Sequence, residues 1–410
     1  MSIKLGDILV GLDIGTNKTC AVIGEVSDEG LKILGAGETA SKGIQKGGII
    51  NIEAASQSIQ KAIEKAEIIA KCRVSSVIVN ITGNHIQGTN SNGVAKVSNC
   101  DEISDDDISR VLETARAVRI SPDREFLHVI AQDYIVDGTP GIRNPRGMSG
   151  VRLEAKVHII TAVSSCIENI VKSVDRCRVD VTDVVLSSLA SGESVLTEEE
   201  KEIGCVLVDL GSGTTDIAIW SKGAIVHTHT IGIAGNSLTS DLAKAFQMTL
   251  PDAETVKIHS GCAMVSSVGA EEIDEIPLSN GRDIHKHPRQ AICGVIEPRL
   301  EEIFEMVNRE IVKAGIDKSQ IPGGIILTGG TSVMDAVPEL AERVLELPAR
   351  RGVPRNISGL TDFILNPKYA TVAGLMLYVM NQPTVLMCNP QDAKNSSFMG
   401  KFIAWIKQII

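Results

Sequence analysis

A short pattern occurs twice in the sequence: an apolar strand, a small polar turn that contains Asp-x-Gly, and a second apolar strand. The first copy, residues 8–26, has the sequence ILVGLDIGTNKTCAVIGEV. The second copy, residues 204–220, has the sequence GCVLVDLGSGTTDIAIW. Apolar runs on both sides of a turn predict a β-hairpin. The chain is therefore expected to contain two equivalent hairpins, one in each half.

The segments that follow the two hairpins also correspond. After the first come a third strand, LKILGAGE, and an amphipathic helix over residues 51–71, where apolar residues recur at the helical period. After the second come a third strand, AIVHTHTI, and a helix over residues 236–247. Self-similarity this weak can arise by chance in an α/β protein, but the matching turns favour two related half-domains.

The remaining segments are organised differently. Residues 84–161 contain an acidic helix, Ser104 to Arg116, and two extended runs joined by a loop rich in Gly and Pro, which predicts an inserted α+β domain. Further along, a long helix is expected over about 296–314. A strand and turn follow at 323–332, and then a helix that begins near Val333.

Both hairpin turns have the composition of a phosphate-binding loop. Such a loop needs backbone N–H groups that converge on the anion, and therefore small residues. A carboxylate just before each turn suits a hydrated Mg²⁺ that bridges phosphates. Asp-x-Gly alone is common in ordinary turns, but its occurrence in both halves favours a nucleotide site. The candidates are Asp13, Gly15, Thr16, Asn17, Lys18, Asp209, Gly211, Ser212, Gly213, Thr214 and Thr215, with Asp13 and Asp209 as metal ligands.

Two further elements can complete a nucleotide site. The turn Gly329-Gly330-Thr331 ends a buried strand, and a ribose or purine can lie on its bare backbone. Glu254 and Lys257 are one helical turn apart and could bracket ribose hydroxyls and the purine edge. In isolation, a surface ion pair is the simpler interpretation of these two residues. Other nucleotide motifs are missing, since the second turn departs from G-x-G-x-x-G at Asp216.

Composition excludes several classes of protein. With 40 Lys+Arg against 51 Asp+Glu, the net charge of −11 argues against a nucleic-acid binder. No apolar run reaches the roughly 18–20 residues of a membrane span. The first residues show no secretion signal. Nine cysteines without Cys-x-x-Cys predict neither a disulfide framework nor a zinc site, and a cytosolic protein is expected.

The last residues, 396–410, predict an amphipathic helix after a flexible linker at 386–395. At 100° per residue, the apolar side chains fall on one arc and two lysines border it, where their stems can follow lipid. The helix is too short to cross a bilayer and is expected to lie in the interface. The residues expected to meet the membrane are Phe398, Met399, Lys401, Phe402, Ile403, Trp405, Ile406, Lys407, Ile409 and Ile410.

A C-terminal helix packed on the protein's own core is the common alternative. Against it stand the linker and the concentration of aromatic residues, because three of the 11 in the chain lie after residue 397. The segment is basic and the rest of the chain is acidic. One such helix should therefore bind an anionic membrane weakly, and a filament that displays many should bind strongly.

Taken in order, these motifs resemble the FtsA family of bacterial cell-division proteins, within the actin, sugar-kinase and heat-shock-chaperone superfamily. The resemblance extends over essentially the whole chain and includes residues 142–161, 234–243 and 356–363. It implies an actin-like (ribonuclease H-like, duplicated) α/β fold with an inserted α+β subdomain and a C-terminal amphipathic helix. It also adds Gly235 and Asn236 to the nucleotide site.

The resemblance implies a division into subdomains, partners and a location. ATP with Mg²⁺ is the implied cofactor. The implied partners are further copies of the chain in a filament, the C-terminal peptide of FtsZ through subdomain 2B, and anionic membrane lipid through the C-terminal helix. Other division proteins are expected at subdomain 1C, and the location is the cytoplasmic face of the bacterial inner membrane at the septum. The expected subdomains are 1A at 1–83, 162–197 and 366–385, 1C at 84–161, 2A at 198–230 and 300–365, and 2B at 231–299.

One departure from the superfamily concerns hydrolysis. Chaperones and MreB carry a Glu-Pro in the first connecting helix beside the attacking water, but the matching stretch 186–190 has no acidic residue. Without a positioned base the reaction slows greatly, so we assign no catalytic residue and expect ATP to act mainly as an assembly ligand. The alternatives are a small-molecule kinase of the same superfamily and a PilM-type pilus-assembly adaptor.

Overall fold

Strands and helices alternate through both halves of the chain. The structure is a computed structural model that describes residues 4–277, 284–360 and 365–381. The elements before residue 204 are β1 (Ile8–Ile14), β2 (Lys18–Ser27), β3 (Gly30–Ala40), β4 (Ile44–Gln45), β5 (Gly48–Ile49), α1 (Ile52–Ala70), β6 (Ser76–Ile81), β7 (Gln87–Lys96), α2 (Asp105–Arg116), β8 (Arg124–Val136), β9 (Thr139–Ile142), β10 (Arg152–Val163), α3 (Ser164–Asp175), β11 (Asp180–Leu186), α4 (Ser187–Val195) and α5 (Glu198–Ile203).

The second half continues the alternation. Its elements are β12 (Cys205–Leu210), β13 (Thr215–Ser221), β14 (Ala224–Ile231), α6 (Gly235–Ala245), α7 (Leu250–Ser260), β15 (Ile273–Pro277), β16 (Ile284–Pro288), α8 (Arg289–Lys313), β17 (Ile325–Thr328), α9 (Val337–Leu345), β18 (Ala349–Arg351), β19 (Ile357–Gly359) and α10 (Ala370–Asn381). Both predicted hairpins and the strand and helix after each are confirmed within one or two residues.

Two sheets form the body, and five consecutive strands of the first repeat the order of the five strands of the second. One runs β11-β6-β1-β2-β3-β19 and the other β14-β13-β12-β17-β18. In each, three antiparallel strands from consecutive hairpins are extended by strands parallel to the first of them. All six residues of β12 are buried, as expected for a central strand that is covered on both faces. The repeat in the sequence is therefore a repeat in the fold.

Close helix packing depends on glycines in the strands. Helix α1 lies on β3, and a Cβ atom on Gly35 of β3 would stand 2.6 Å from the carbonyl oxygen of Ala66. The helix begins at the N-cap Asn51, whose side chain accepts a hydrogen bond from the amide of Ala54 at 3.0 Å. Helix α4 lies between the two sheets and contacts strands of both. It therefore connects the two halves through the core.

The inserted segment is a separate small unit, as predicted. Its sheet runs β7-β10-β8-β9, with α2 packed on β7 and β10 around a core of its own. Helix α2 begins with a capping box between Ser104 and Asp107. Strands β7 and β8 also pack on β14, the edge strand of the second sheet, and β8 contacts β11, the edge strand of the first. The insert therefore contacts both halves of the body.

Two predicted helix starts are wrong. Helix α8 begins at Arg289 rather than near 296, because Ile292 and Ile296 continue the buried face that Leu300 begins, and Pro298 is accommodated inside the helix. Helix α9 begins at Val337 rather than near Val333. A 3-10 turn over Gly330–Val333 comes first, and Ala336 has a positive φ of 59° before the proline in the first turn.

The C-terminal predictions lie outside the described residues. These are the linker at 386–395 and the membrane helix at 396–410. None of the helices in the described ranges combines the length and hydropathy needed to cross a bilayer.

Candidate functional site

The first hairpin turn connects β1 to β2 and is closed by a single backbone hydrogen bond. The amide of Gly15 donates to the carbonyl oxygen of Lys18 at 3.0 Å, and a Cβ on Gly15 would stand 2.8 Å from that oxygen. Asp13 ends β1 and is only 7% exposed. The Lys18 ammonium lies 3.3 Å from the Asp13 carboxylate. The turn therefore holds a carboxylate and a cation beside a bare stretch of backbone.

The second hairpin turn, between β12 and β13, has the same closure. The amide of Gly211 donates to the carbonyl oxygen of Thr214 at 3.0 Å, and a Cβ on Gly211 would stand 2.9 Å from it. Asp209 takes the place that Asp13 has in the first hairpin, and it is also 7% exposed. The same backbone hydrogen bond closes both turns, although they are far apart in the chain. The repeated Asp-x-Gly motif therefore gives the same turn geometry in both halves.

The tips of the two hairpins touch each other. The side chain of Thr16 lies against Gly213, and a Cβ on Gly213 would stand 2.9 Å from the Cβ of Thr16. The amide of Gly47 donates to the Thr16 hydroxyl at 3.1 Å and holds that side chain in place. Two turns from opposite halves of the chain therefore form one site between the sheets.

Polar side chains from other elements hold the two buried carboxylates. The Asn80 amide donates to Asp13 at 3.0 Å and accepts from the backbone of Ile14 at 2.7 Å. The hydroxyls of Ser191 and Thr371 donate to one oxygen of Asp209 at 2.7 and 3.2 Å. These bonds fix both carboxylates in place at the base of the two hairpins.

Burial changes the acidity of these carboxyl groups. Removal from water raises the pKa of Asp209 to about 7, and the negative charges of Asp216 and Asp13 add to the rise. Burial also raises the pKa of Asp13, although the nearby Lys18 opposes that rise. A site that concentrates buried negative charge is suited to a divalent cation.

Asp216 is a third buried carboxylate, and threonines surround it. Thr82 and Thr230 donate to one of its oxygens at 2.5 and 2.6 Å, and Thr214 donates to the other at 3.3 Å. Burial raises the pKa of Asp216 as well. Asp216 departs from a dinucleotide motif in the sequence, and in the fold it joins the second hairpin to Thr82 of the first half.

The turn after β17 packs directly on the second hairpin. The Thr331 hydroxyl donates to the carbonyl oxygen of Gly211 at 2.7 Å, and the amide of Gly235 donates to the same oxygen at 3.2 Å. The amide of Asn236 donates to the carbonyl oxygen of Ser212 at 2.7 Å. The start of α6 and the double-glycine turn therefore extend the site away from the hairpin tips.

Glu254 and Lys257 lie at this end of the site and form a partly buried ion pair, not a surface one. Their charged groups are 2.7 Å apart, and Lys257 is 7% exposed. The Lys257 ammonium also donates to the hydroxyl of Thr239 at 3.0 Å and to the carbonyl oxygen of Gly235 at 3.3 Å. The pair is thus fixed beside α6 with polar atoms near the double-glycine turn.

The remaining predicted site residues differ in their position relative to the two hairpins. At Gly330 an added Cβ would stand 3.9 Å from the Cβ of Lys368 and in ordinary contact with it. Asn17 is exposed at the hairpin tip. The Thr215 hydroxyl donates to the carbonyl oxygen of Ile233 at 2.8 Å and supports the backbone instead of facing the site. The ten predicted membrane residues lie outside the described ranges.

Sequence reasoning missed the side chains that hold the carboxylates. Ser191 and Thr371 come from α4 and α10 and carry no local signal of a site. Asn80 does carry one, because it is a buried polar residue inside the otherwise apolar strand β6. Within the described chain, no three His, Cys, Asp or Glu side chains lie close enough together to hold a metal ion. A metal at the hairpins would therefore need further oxygen ligands.

Similar solved structures establish the fold. The PilM-PilN type IV pilus biogenesis complex contains a chain that matches with a TM-score of 0.67 and 14% identity, over 91% of this chain and 99% of that one. MreB 5 of Spiroplasma citri bound to AMPPNP matches with a TM-score of 0.54 and 14% identity, over 90% and 95% of the two chains. At these identities the likeness concerns the fold alone, and it confirms the predicted actin-like architecture.

Similar sequences establish the family. The family model for cell division protein FtsA matches residues 206–374, and the model for the SHS2 domain inserted in FtsA matches residues 83–161. The cell division protein FtsA of Pseudomonas aeruginosa is 47% identical over 378 residues, 92% of this chain and 90% of that protein. The FtsA of Escherichia coli K12 is 42% identical over 379 residues, 90% of each chain. The chain therefore belongs to the FtsA family of cell division proteins.

Proposed function

We propose that this chain binds ATP with Mg²⁺ between its two hairpins and acts in cell division as a membrane-attached, filament-forming adaptor. One observation carries the nucleotide part. Two turns of equal geometry, from opposite halves of the chain, meet at Thr16 and Gly213 with a buried carboxylate at the base of each. Backbone amides at small residues are the groups that bind phosphates.

The residues present fit Mg²⁺–ATP. At Gly15 and Gly211 an added Cβ would press on the carbonyl oxygen that closes the turn, so glycine is what allows both turns to be this tight and to carry small residues. Lys18 supplies a positive charge there, and Asp13 and Asp209 supply oxygen ligands. When bound, Mg²⁺ neutralises charge on the phosphates, and it prefers carboxylate and water oxygens. We assign the adenosine to the double-glycine turn, with Glu254 and Lys257 beside it.

We expect hydrolysis to be slow. Helix α4 begins at Ser187, whose hydroxyl donates to the carbonyl oxygen of Ile81 at 3.2 Å, and residues 186–190 supply no carboxylate. Both oxygens of Asp216 already accept hydrogen bonds from threonines. A general base must be free to take a proton from water. ATP would then act mainly as an assembly ligand, and the chain would be at most a slow ATPase.

Attachment and partners are assigned from the sequence and the family. The amphipathic segment 396–410 is proposed to bind anionic lipid, at the cytoplasmic face of the inner membrane and at the septum. Subdomain 2B at 231–299 is proposed to bind the C-terminal peptide of FtsZ, and 1C at 84–161 other division proteins. Helix α8 is continuous across the proposed boundary between residues 299 and 300, so 2A and 2B would share a helix.

The kinase and pilus-adaptor alternatives have less support. The pilus protein shares the fold at 14% identity, whereas relatives named cell division proteins reach 47%. Identity at that level over nine-tenths of the chain favours the division role.

Calorimetry with Mg²⁺–ATP tests the nucleotide site. The wild type should bind, Asp209→Asn should lose the magnesium-dependent part of the affinity, and Asp252→Asn, a change on α7 outside the site, should bind as the wild type does. Equal binding by Asp209→Asn would contradict the assignment of that carboxylate.

Co-sedimentation with vesicles that contain anionic lipid tests attachment. The full chain should pellet with the vesicles, and a chain that ends at Asn395 should stay in solution. FtsZ filaments should pellet only when the full chain is present. If both forms of the chain pellet equally, the segment 396–410 is not the membrane anchor.

A further inference from the structure

The short segment that leads into α10 contacts the candidate nucleotide site at three points. We call residues Asn366–Thr371 the linking segment. The Lys18 ammonium donates to the carbonyl oxygen of Lys368 in this segment at 2.6 Å. Its Thr371 hydroxyl donates to Asp209 at 3.2 Å. Its Pro367 carbonyl oxygen accepts from the amide of Gly329 at 3.3 Å. One segment thus reaches both hairpins and the double-glycine turn.

Two of these contacts use groups that a bound nucleotide would also use. An ammonium has three N–H donors. Two donors of the Lys18 ammonium face Asp13 and the Lys368 carbonyl, and the third can face the ring of Tyr369 or a phosphate. The Thr371 hydroxyl shares one oxygen of Asp209 with the hydroxyl of Ser191, so the other oxygen is left for a cation. The linking segment and the ligand would therefore share partners without excluding each other.

Side chains anchor the linking segment on the first sheet. The Tyr369 hydroxyl donates to Glu38 of β3 at 2.7 Å, and the Lys368 ammonium lies 3.3 Å from the same carboxylate. The Lys18 ammonium stands 4.6 Å from the centre of the Tyr369 ring, within cation–π range. The segment is thus fixed beside Lys18 by its own side chains as well as by its backbone.

Helix α10 begins at the linking segment and extends away from the site. The Ser194 hydroxyl donates to the carbonyl oxygen of Ala370 at 2.7 Å, which fixes the first turn of α10 to α4. The helix has 12 residues and spans about 18 Å. It ends at Asn381, whose amide donates to Glu193 at 3.1 Å. The next residues in the chain lead to the proposed membrane segment.

We propose that Lys368 and Thr371 are positioning residues through which Mg²⁺–ATP tightens the first turn of α10. The inference rests on the proposed nucleotide site. A cation held by Asp209 would fix the position of that carboxylate, and with it the Thr371 hydroxyl that donates to it. A phosphate that holds Lys18 steadies its bond to the Lys368 carbonyl. Both changes strengthen contacts at one end of α10.

Hydrogen exchange of the full chain, with and without Mg²⁺–ATP, tests the proposal. In the wild type, nucleotide should slow exchange of the backbone amides at 371–376 by about fivefold, the change expected when one hydrogen bond gains strength. Thr371→Val, which keeps the shape but removes the hydroxyl, should lose this response when Mg²⁺–ATP is added at a concentration that calorimetry shows to saturate the variant. Thr371→Ser, which restores a hydroxyl, should recover it.

Ser194→Ala is the matched control. The Ser194 hydroxyl donates to the carbonyl oxygens of Ala370 and Ser191 and contacts neither Asp13 nor Asp209. Its loss should therefore speed exchange with and without nucleotide and keep the fivefold ratio. A full response in Thr371→Val, or no response in a wild type that binds ATP, would overturn the inference and leave the proposed function intact. A wild type that binds no ATP would overturn both.

Discussion

Gly374 is a position in α10 where even an added methyl group meets backbone. It lies in the middle of the helix and faces α4, and an added Cβ would overlap the carbonyl group of Ala190 and stand 3.2 Å from its Cα. Since the obstacle is backbone, rotation of a side chain cannot relieve the overlap. Gly374→Ala must push α10 away from α4 or bend one of the two helices.

Two opposing terms set the size of the effect. Replacing glycine by alanine inside a helix gains about 1 kcal/mol, because the unfolded chain has less freedom to lose. Overpacking a core usually costs about 1–3 kcal/mol, and a clash with backbone belongs at the upper end or beyond. We expect Gly374→Ala to lower the free energy of unfolding by about 2 kcal/mol.

Gly294 provides the matched control. It lies inside α8, it is exposed, and an added Cβ would find open space within 4 Å. Gly294→Ala should therefore raise the free energy of unfolding by about 0.5–1 kcal/mol. Urea denaturation of both variants, followed by circular dichroism, measures the two effects. If Gly374→Ala is as stable as the wild type, or if both variants shift the same way, α10 does not pack on α4 as described.

Three further predictions concern the site. Burial raises the folded pKa of Asp209 from 3.8 to about 7, so this carboxyl destabilises the fold increasingly as pH rises from about 4 to 7. Asp209→Asn should therefore raise the urea midpoint more at pH 8 than at pH 5. An equal shift at both pH values would contradict the raised pKa. In Gly213→Ala the added methyl group should press on Thr16 and separate the two hairpins. Calorimetry should then show ATP binding weakened about tenfold or more. An unchanged affinity would mean that the phosphates bind elsewhere. Lys257→Met should destabilise the fold by about 1–3 kcal/mol because it leaves the partly buried Glu254 without its cation. The added change Glu254→Gln should recover part of that loss in a double-mutant cycle.

Much of the site was predictable because its signals are local. A turn that must present backbone to an anion needs glycine, and a strand covered on both faces needs a continuous apolar run. Both requirements appear as short patterns around Asp13 and Asp209. The repetition of those patterns then indicated a duplicated fold, and the two sheets with equal strand order confirm it.

Other features could not be predicted from local patterns. Where α8 and α9 begin depends on which residues the rest of the protein buries. A proline lies near each start, but its position alone does not identify the first helical residue. Glu254 and Lys257 looked like a surface pair when considered alone, whereas packing of α7 beside α6 leaves Lys257 almost fully buried. In both cases the energy that decides the outcome comes from residues distant in the chain.

The sequence by itself determined the two hairpins, the inserted unit and the small residues at the turns, because backbone conformation and apolar periodicity depend on neighbours in the chain. Only the tertiary structure decided the pKa values of the carboxyl groups in those turns and which side chains hydrogen-bond to them. Ser191 and Thr371 reach Asp209 from two separate helices, and the surrounding core removes water from it and raises its pKa to about 7. Desolvation and hydrogen bonding depend on distance in space, and the fold alone sets that distance.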